Sequence, residues 1–279
     1  MFWNILHMES EKTFKRRLFW LGLLVLAALI AFFYTIFYAF RGSIPASGTQ
    51  FLFWPRGLIY ALGYASGYAS WTSYGTYLLI TLVGVVTAQE YSWRTLQLWL
   101  SHGVPRSLLL AAKFLLSLLP ALLIVFVCLL TVGGLSAVFS FQAHGIVNTR
   151  DVDVVQLVLS YLRTTYSMLP YAALTFMLAV MSRSAVMAVG GGLAFVAVAE
   201  TALSNLLPLL GENFARIAQY LPSGLSSALN SQNYALAKMP IPQSALQPGP
   251  IAAVIGIALY TLVFCGIALW VFQRQDLAN

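Results

Sequence analysis

The chain has 279 residues, of which 60% are hydrophobic and only 8% charged, with a mean hydropathy of +0.82. A water-soluble domain of this length carries roughly a quarter charged residues, so the composition excludes one and requires an integral membrane protein. The net charge of +7 does not imply nucleic acid, because the basic residues flank apolar runs, where they set orientation and meet anionic lipid.

The basic cluster Lys12, Lys15, Arg16 and Arg17 precedes an apolar run from Leu18 to Phe40. At 1.5 Å per residue that run makes about 34 Å of helix, enough to span the hydrocarbon core. No small-residue cleavage site ends it, and Tyr34, Phe37, Tyr38 and Phe40 read as an interfacial aromatic belt, so it is a retained span and not a signal peptide. Apolar runs then predict spans at about 71–88, 108–138, 163–181, 185–207 and 251–272. The expected fold is all-α, a six-span polytopic bundle forming one domain over 1–279, with residues 1–17 as an elbow segment. Pro120 and Gly133-Gly134 are expected to kink or end the long third span. The fourth has helical character from Val154 onward, which would make Pro170 a bend. Ser182-Arg183-Ser184 leaves room only for a tight hairpin. Between spans, 41–70 holds a predicted interfacial helix after Pro55, and 208–250 is expected to include helices that dip into the bilayer.

An even number of spans puts both ends on one side. That side carries Lys12, Lys15, Arg16, Arg17, Arg94, Arg106, Lys113, Arg183 and Arg274, nine of the 15 basic residues. The dense clusters lie near span ends, where the positive-inside rule acts. The reading is a multi-pass protein of the cell membrane with both termini cytoplasmic.

The connection between the second and third spans is the most informative segment. It runs Gln89-Glu90-Tyr91-Ser92-Trp93-Arg94-Thr95-Leu96-Gln97-Leu98-Trp99-Leu100-Ser101-His102-Gly103-Val104-Pro105-Arg106. Trp93, Leu96 and Leu100 fall at helical spacing, Arg94 and Gln97 lie on other faces, and Gly103 and Pro105 supply a stop. A short amphipathic helix here is either an interfacial anchor held by Trp93 and Trp99 or a handle for a partner. The order Glu90-Tyr-Ser-Trp-Arg-Thr95-Leu96, then Leu100-Ser-His-Gly-Val-Pro105-Arg106, then Leu108-Leu109-Leu110 and Lys113 resembles the permeases of type-2, exporter-like ABC transporters. The basic elbow, the Ser182–Ser184 hairpin and the long segment before the last span also fit that family. His102-Gly103 departs from it, since relatives often carry Arg-Pro there.

The resemblance implies the transmembrane subunit of an ATP-driven exporter, without an ATP site or other cofactor of its own. Its implied partners are two copies of an ABC ATPase subunit, a second permease copy or sister permease, and membrane lipid. The 89–107 segment would be the coupling helix. Trp93, Leu96 and Leu100 would be apolar anchors in an ATPase groove, with Thr95 between them and Pro105 at the stop. Arg94 and Arg106 would pair with acidic rims, and Glu90 would cap the helix start or bind a basic neighbour. Consistently, no G-x-x-x-x-G-K-[S/T] motif occurs. The other classes weighed are a lipid-modifying membrane enzyme, which would need clustered acids or histidines, and a docking or sensory protein that moves no substrate.

Four further features have plainer readings. Gly190-Gly191-Gly192 reads as a helix-packing face. Ser66, between Gly63 and Gly67, would need a base in reach to act as a nucleophile, and His144 lies in a loop. Glu200 is the one carboxylate well inside a predicted span. It is a candidate intramembrane polar site, or else it reaches the interface or pairs with Arg163 or Arg216. Tyr60, Tyr64, Tyr68, Trp71 and Tyr74 recur every three to four residues, as one face of a helix or as a belt. Cys128 and Cys265 lie in apolar runs and suggest neither disulfide nor metal.

Overall fold

The computed structural model describes residues 11, 14–44, 49–67, 73–92, 105–147, 152–242 and 246–275, and for Glu90 and Ser92 the backbone alone. The regular structure among these residues is helical throughout. Helix α1 (Arg17–Ala39) buries Phe19, Leu23, Leu26, Ile30 and Tyr34 at spacings of three and four, the stripe of a helix with one protein-facing side. Its other faces expose Leu21, Leu24, Phe32 and Phe37, which only lipid or another apolar surface can cover favourably. Next come α2 (Arg56–Ser66) and α3 (Tyr74–Ser92).

The third expected span is built from α4 (Arg106–Leu116) and α5 (Leu118–His144), and the fourth from α6 (Val154–Ser167) and α7 (Leu169–Ser182). Both breaks lie two or three residues before a proline, at Ser117 before Pro120 and at Met168 before Pro170. A proline ring removes one N–H and crowds the carbonyl four residues back, so the turn before it opens. The Ser117 hydroxyl donates to the Phe114 carbonyl at 2.6 Å. Gly133 and Gly134, expected to kink or end this span, do not end it: the helix runs through them to His144. Asp153 caps α6, its carboxylate accepting the Val155 N–H at 2.9 Å and satisfying one of the orphan donors of a helix start.

Arg183 turns the hairpin in the left-handed region at φ 53°. Beyond it, α8 (Ala185–Ala194) passes into a π-helical turn at Phe195–Glu200, and α9 (Thr201–Leu206) continues the same rod to a 3₁₀ turn at Leu207–Leu210. Two short helices, α10 (Glu212–Ala218) and α11 (Pro222–Asn230), and a 3₁₀ stretch at Ser231–Ala237 precede the final span, α12 (Pro250–Arg274).

Five of these rods are long and apolar enough to cross a membrane: Arg17–Ala39, Arg106–His144, Val154–Ser182, Ala185–Leu210 and Pro250–Arg274. The remaining expected span is represented by α3, apolar over Tyr74–Gln89. The Tyr74 ring stacks on Phe33 of α1 at 6.1 Å, so α3 starts below the level where α1 ends. The layer above is filled by α2, in which every residue from Gly57 to Ala65 except Tyr60 is buried. This helix was expected to lie in the interface; instead it inserts between α3, α5 and α6. The tyrosine series is likewise divided, with Tyr60 and Tyr64 on α2, Tyr74 opening α3, and Tyr68 and Trp71 outside the described residues. Helix α11 also sits inside the body, against α6 and α12.

Small residues permit these insertions. A Cβ on Gly75 would lie 2.5 Å from the Ala65 carbonyl oxygen and 2.7 Å from its Cα, both backbone atoms of α2 that cannot step aside. In the 190–192 run, Gly192 lies against Ile80 and Thr175 and Gly191 against Leu178, while a Cβ on Gly190 would meet nothing within 4 Å. Two of the three glycines therefore pack. Gly75→Ala is expected to lower the thermal midpoint of the detergent-purified protein by several degrees, from overpacking of about 1–3 kcal/mol. Gly134→Ala, at a helical site with nothing within 4 Å, should leave it unchanged or raise it slightly. Equal midpoints for the two variants would refute the close α2–α3 contact.

Candidate functional site

Two polar clusters stand out in this apolar body, at different places along the rods. The first gathers at the end of the bundle where α1 begins and α12 finishes, which we term the terminal face. Gln89, near the end of α3, accepts a hydrogen bond from Arg16 Nη1 at 2.7 Å. Across the gap in sequence, Pro105 is extended (φ −64°, ψ 136°) and serves as the N-cap position of α4. Arg106 then turns its guanidinium onto the end of α12, with Nη1 lying 2.9 Å from the Gln273 carbonyl oxygen, 3.1 Å from that of Gln275 and 3.4 Å from that of Phe272. The last carbonyls of a helix lack intrahelical donors and carry its negative dipole end, so a cation suits them. Gln275 extends the contact by donating its Nε2 to the Val180 carbonyl of α7 at 2.7 Å.

The described residues that flank 93–104 are thus tied down, Gln89 to the start of α1 on one side and Arg106 to the end of α12 on the other. Of the residues singled out from the sequence, Pro105 and Arg106 fall in this cluster. Trp93, Arg94, Thr95, Leu96 and Leu100 lie outside the described residues, and Glu90 is described only by its backbone. Within the chain, Arg106 takes the carbonyls at the end of α12 as its acceptors. That contact could not be read from sequence, because a helix C-terminus and an acidic rim attract a guanidinium by the same physics.

The second cluster is buried in the body. Glu200 is 2% exposed and sits at the end of the π-helical turn. Such a turn inserts one residue into the helical count and rotates the remainder of the rod about its axis, and Thr201 Oγ1 donating to the Val196 carbonyl at 3.0 Å marks the five-residue reach. The carboxylate does not pair with Arg163 or Arg216 as expected. Arg163 Nη1 reaches the Gln232 carbonyl at 3.4 Å, and Arg216 pairs with Glu212 at 2.8 Å. Instead Oε1 accepts the Ser223 N–H at 2.5 Å and Oε2 accepts the Tyr171 hydroxyl at 3.1 Å. Ser223 is in the first turn of α11, so Glu200 caps that helix from another span.

A polar chain continues alongside. Asn230 Nδ2 donates to Ser167 Oγ at 2.9 Å and Ser66 Oγ at 3.1 Å, while Thr164 Oγ1 donates to Asn230 Oδ1 at 3.3 Å. Asn233 Nδ2 donates to Thr164 Oγ1 at 3.1 Å, and Ser226 Oγ to the Ser167 carbonyl at 3.0 Å. Sequence reasoning passed over Asn230, Asn233, Thr164 and Ser167, because single amides and hydroxyls in apolar runs carry no spacing signal. Ser66 is absorbed into this network, while His144 packs its ring against Phe53 at 5.1 Å. The two are not brought together. Among the described residues no group of three or more His, Cys, Asp or Glu could hold a metal.

Arg106→Ala should free the end of α12. Amide exchange at 272–275 is expected to rise at least tenfold, with a loss of about 1.5–3 kcal/mol in stability, the range for hydrogen bonds to a charged donor. Arg106→Lys should recover part of it, and unchanged exchange in the alanine variant would refute the clamp.

None of the curated proteins matches the chain. A family profile covers residues 60–278, from within α2 to past the end of α12, and therefore takes in the second cluster and all of the first except Arg16. The chain belongs to the family described as "Protein of unknown function (DUF2705)".

Proposed function

We propose that this chain is the membrane-embedded permease subunit of an ATP-driven exporter of the type-2 ABC kind. Its motor would be a separate ATPase pair, and two permease chains, identical or sister, would form the pathway. The single observation that carries this reading is the fastening of the chain on either side of residues 93–104, at Gln89 and at Arg106. A segment pushed by a partner moves the spans only if its ends are attached to them, and Arg16–Gln89 and Arg106–α12 provide such attachments at its two edges. The order of residues from Glu90 to Lys113 supports the same reading. The body offers five rods able to cross a membrane, with much apolar side-chain surface on α1, α8 and α12 for lipid or a second permease chain.

In this mechanism ATP closes the ATPase pair, and the handles formed by 93–104 move with it. Arg106 draws α12, and through Gln275 the motion reaches α7. The motor shifts the bundle only as far as it binds one arrangement better than the other. The termini and the handle face the cytoplasm, in line with the nine basic residues gathered on that side.

With the cognate ATPase co-expressed and co-purified, Leu96→Asp or Trp93→Ala should return permease-stimulated ATP hydrolysis to the ATPase's basal rate while the permease stays folded. Undiminished stimulation and complex formation would reject the handle. Independently, a cysteine placed at Ser101 should react with a membrane-impermeant maleimide only from the cytoplasmic side. Labelling from outside the cell would overturn the orientation and the mechanism with it.

A further inference from the structure

Beside Glu200 lies a cavity of about 190 Å³ whose other lining residues, apart from Gly67 and Val196, all carry hydroxyls. At six of its hydroxyls the chemistry is one-sided. Ser66 donates its proton to the Leu62 carbonyl, Thr76 to Ala65, Thr201 to Val196, Ser204 to Thr201 and Ser226 to Ser167. Tyr171 gives its proton to Glu200 itself. A hydroxyl has one proton and two lone pairs, so with their protons committed these groups offer the cavity acceptors. The carboxylate is an acceptor as well. The lining is therefore rich in lone pairs, and among the described residues no Lys or Arg contributes to it.

The charge balance agrees. Glu200 forms no ion pair among the described residues, and its compensation is the N-terminus of α11, equivalent to about half an elementary charge. A buried carboxylate in an apolar body needs more than this. A ligand that completes the site must bring positive charge and donors or empty coordination positions, and must be small. One carboxylate with neutral oxygens suits a monovalent charge. Calcium and magnesium sites draw on more carboxylates, or on substrate phosphates.

From this the geometry points to a binding site for a small monovalent cation, an inorganic ion or a primary ammonium group, held by Glu200 and the surrounding hydroxyl oxygens. The site stands on its own observations and does not depend on the transport reading. Bound cation would also brace α11, since Glu200 joins that helix to α7 and to the π-helical turn.

The test is thermal unfolding of the full-length protein in neutral detergent, with ionic strength held constant by N-methylglucamine chloride, a cation far larger than sodium, potassium or methylammonium. Sodium, potassium and methylammonium are titrated separately. At least one should raise the midpoint saturably by a few degrees. Saturation by sodium or potassium assigns an inorganic ion, and saturation by methylammonium alone assigns an organic ammonium group; both support the site. Glu200→Gln keeps an oxygen for the Ser223 N–H and should abolish the effect. Ser204→Ala, which removes one lining oxygen from an exposed helical turn, should raise the half-saturating concentration several-fold without unfolding the protein. No cation dependence in the wild type would overturn the proposal. So would a stability that tracks pH alone, or identical titrations for wild type and Glu200→Gln.

Discussion

Hydrocarbon offers no hydrogen bonds, so every backbone N–H and C=O that a broken or shortened helix releases inside the body must find its partner within the chain. This constraint organises the fold more than hydrophobicity does, because apolar contact is available from lipid in any case. Helices α2 and α11 end inside the body. Ser223 at the start of α11 finds the Glu200 carboxylate, and the loop before α2 finds Tyr34 and Ser140, whose hydroxyls meet the Phe51 carbonyl at 2.8 Å and the Trp54 N–H at 2.7 Å. The buried polar residues cluster where backbone is interrupted. Asn230 closes α11, Ser167 closes α6, and Ser66 closes α2; the amide of Asn230 donates to both serine hydroxyls.

The same rule explains why an acid can persist at Glu200. Alone in an apolar span it would be strongly disfavoured. At the first turn of α11 it receives a backbone N–H and the positive end of a helix dipole, and Tyr171 satisfies its second oxygen. The π-helical turn delivers it there by adding a residue to the rod just before it. Remaining as a regular helix, α8 would carry position 200 about 100° around its axis and away from Ser223.

Legibility from sequence divides along the range of the interactions. The apolar rods were readable because about twenty consecutive apolar residues are a local signal, and the breaks before Pro120 and Pro170 because a proline's clash lies within its own turn. The early start of the fourth rod at Val154 was visible for the same reason. What failed depended on contacts distant in sequence. Helix α2 has the composition of an interfacial helix, and only Gly75 against Ala65 and Ser136 against Gly57 reveal that it is inserted. Gly133-Gly134 carry a breaking propensity, yet α5 continues through both. Glu200 stood out as a carboxylate inside a span, but the partners sought were cations, whereas the structure supplies a helix end and a phenol. The π-helical turn has no compositional signature at all.

Helix α7 joins the two clusters. Tyr171, in its first turn, donates to Glu200, and the Val180 carbonyl, near its end, accepts from Gln275, which lies beside the Arg106 clamp. Nine residues separate these two points, about 14 Å of helix. Its residues from Pro170 to Phe176 are buried against α3, α8 and α12, so the rod has little freedom to bend. A tightly packed core yields by switching between arrangements and not by gradual deformation. If Glu200 and the terminal face influence each other, the shared element is therefore this rod. Either end can move it only by holding one of its positions with lower free energy than the other.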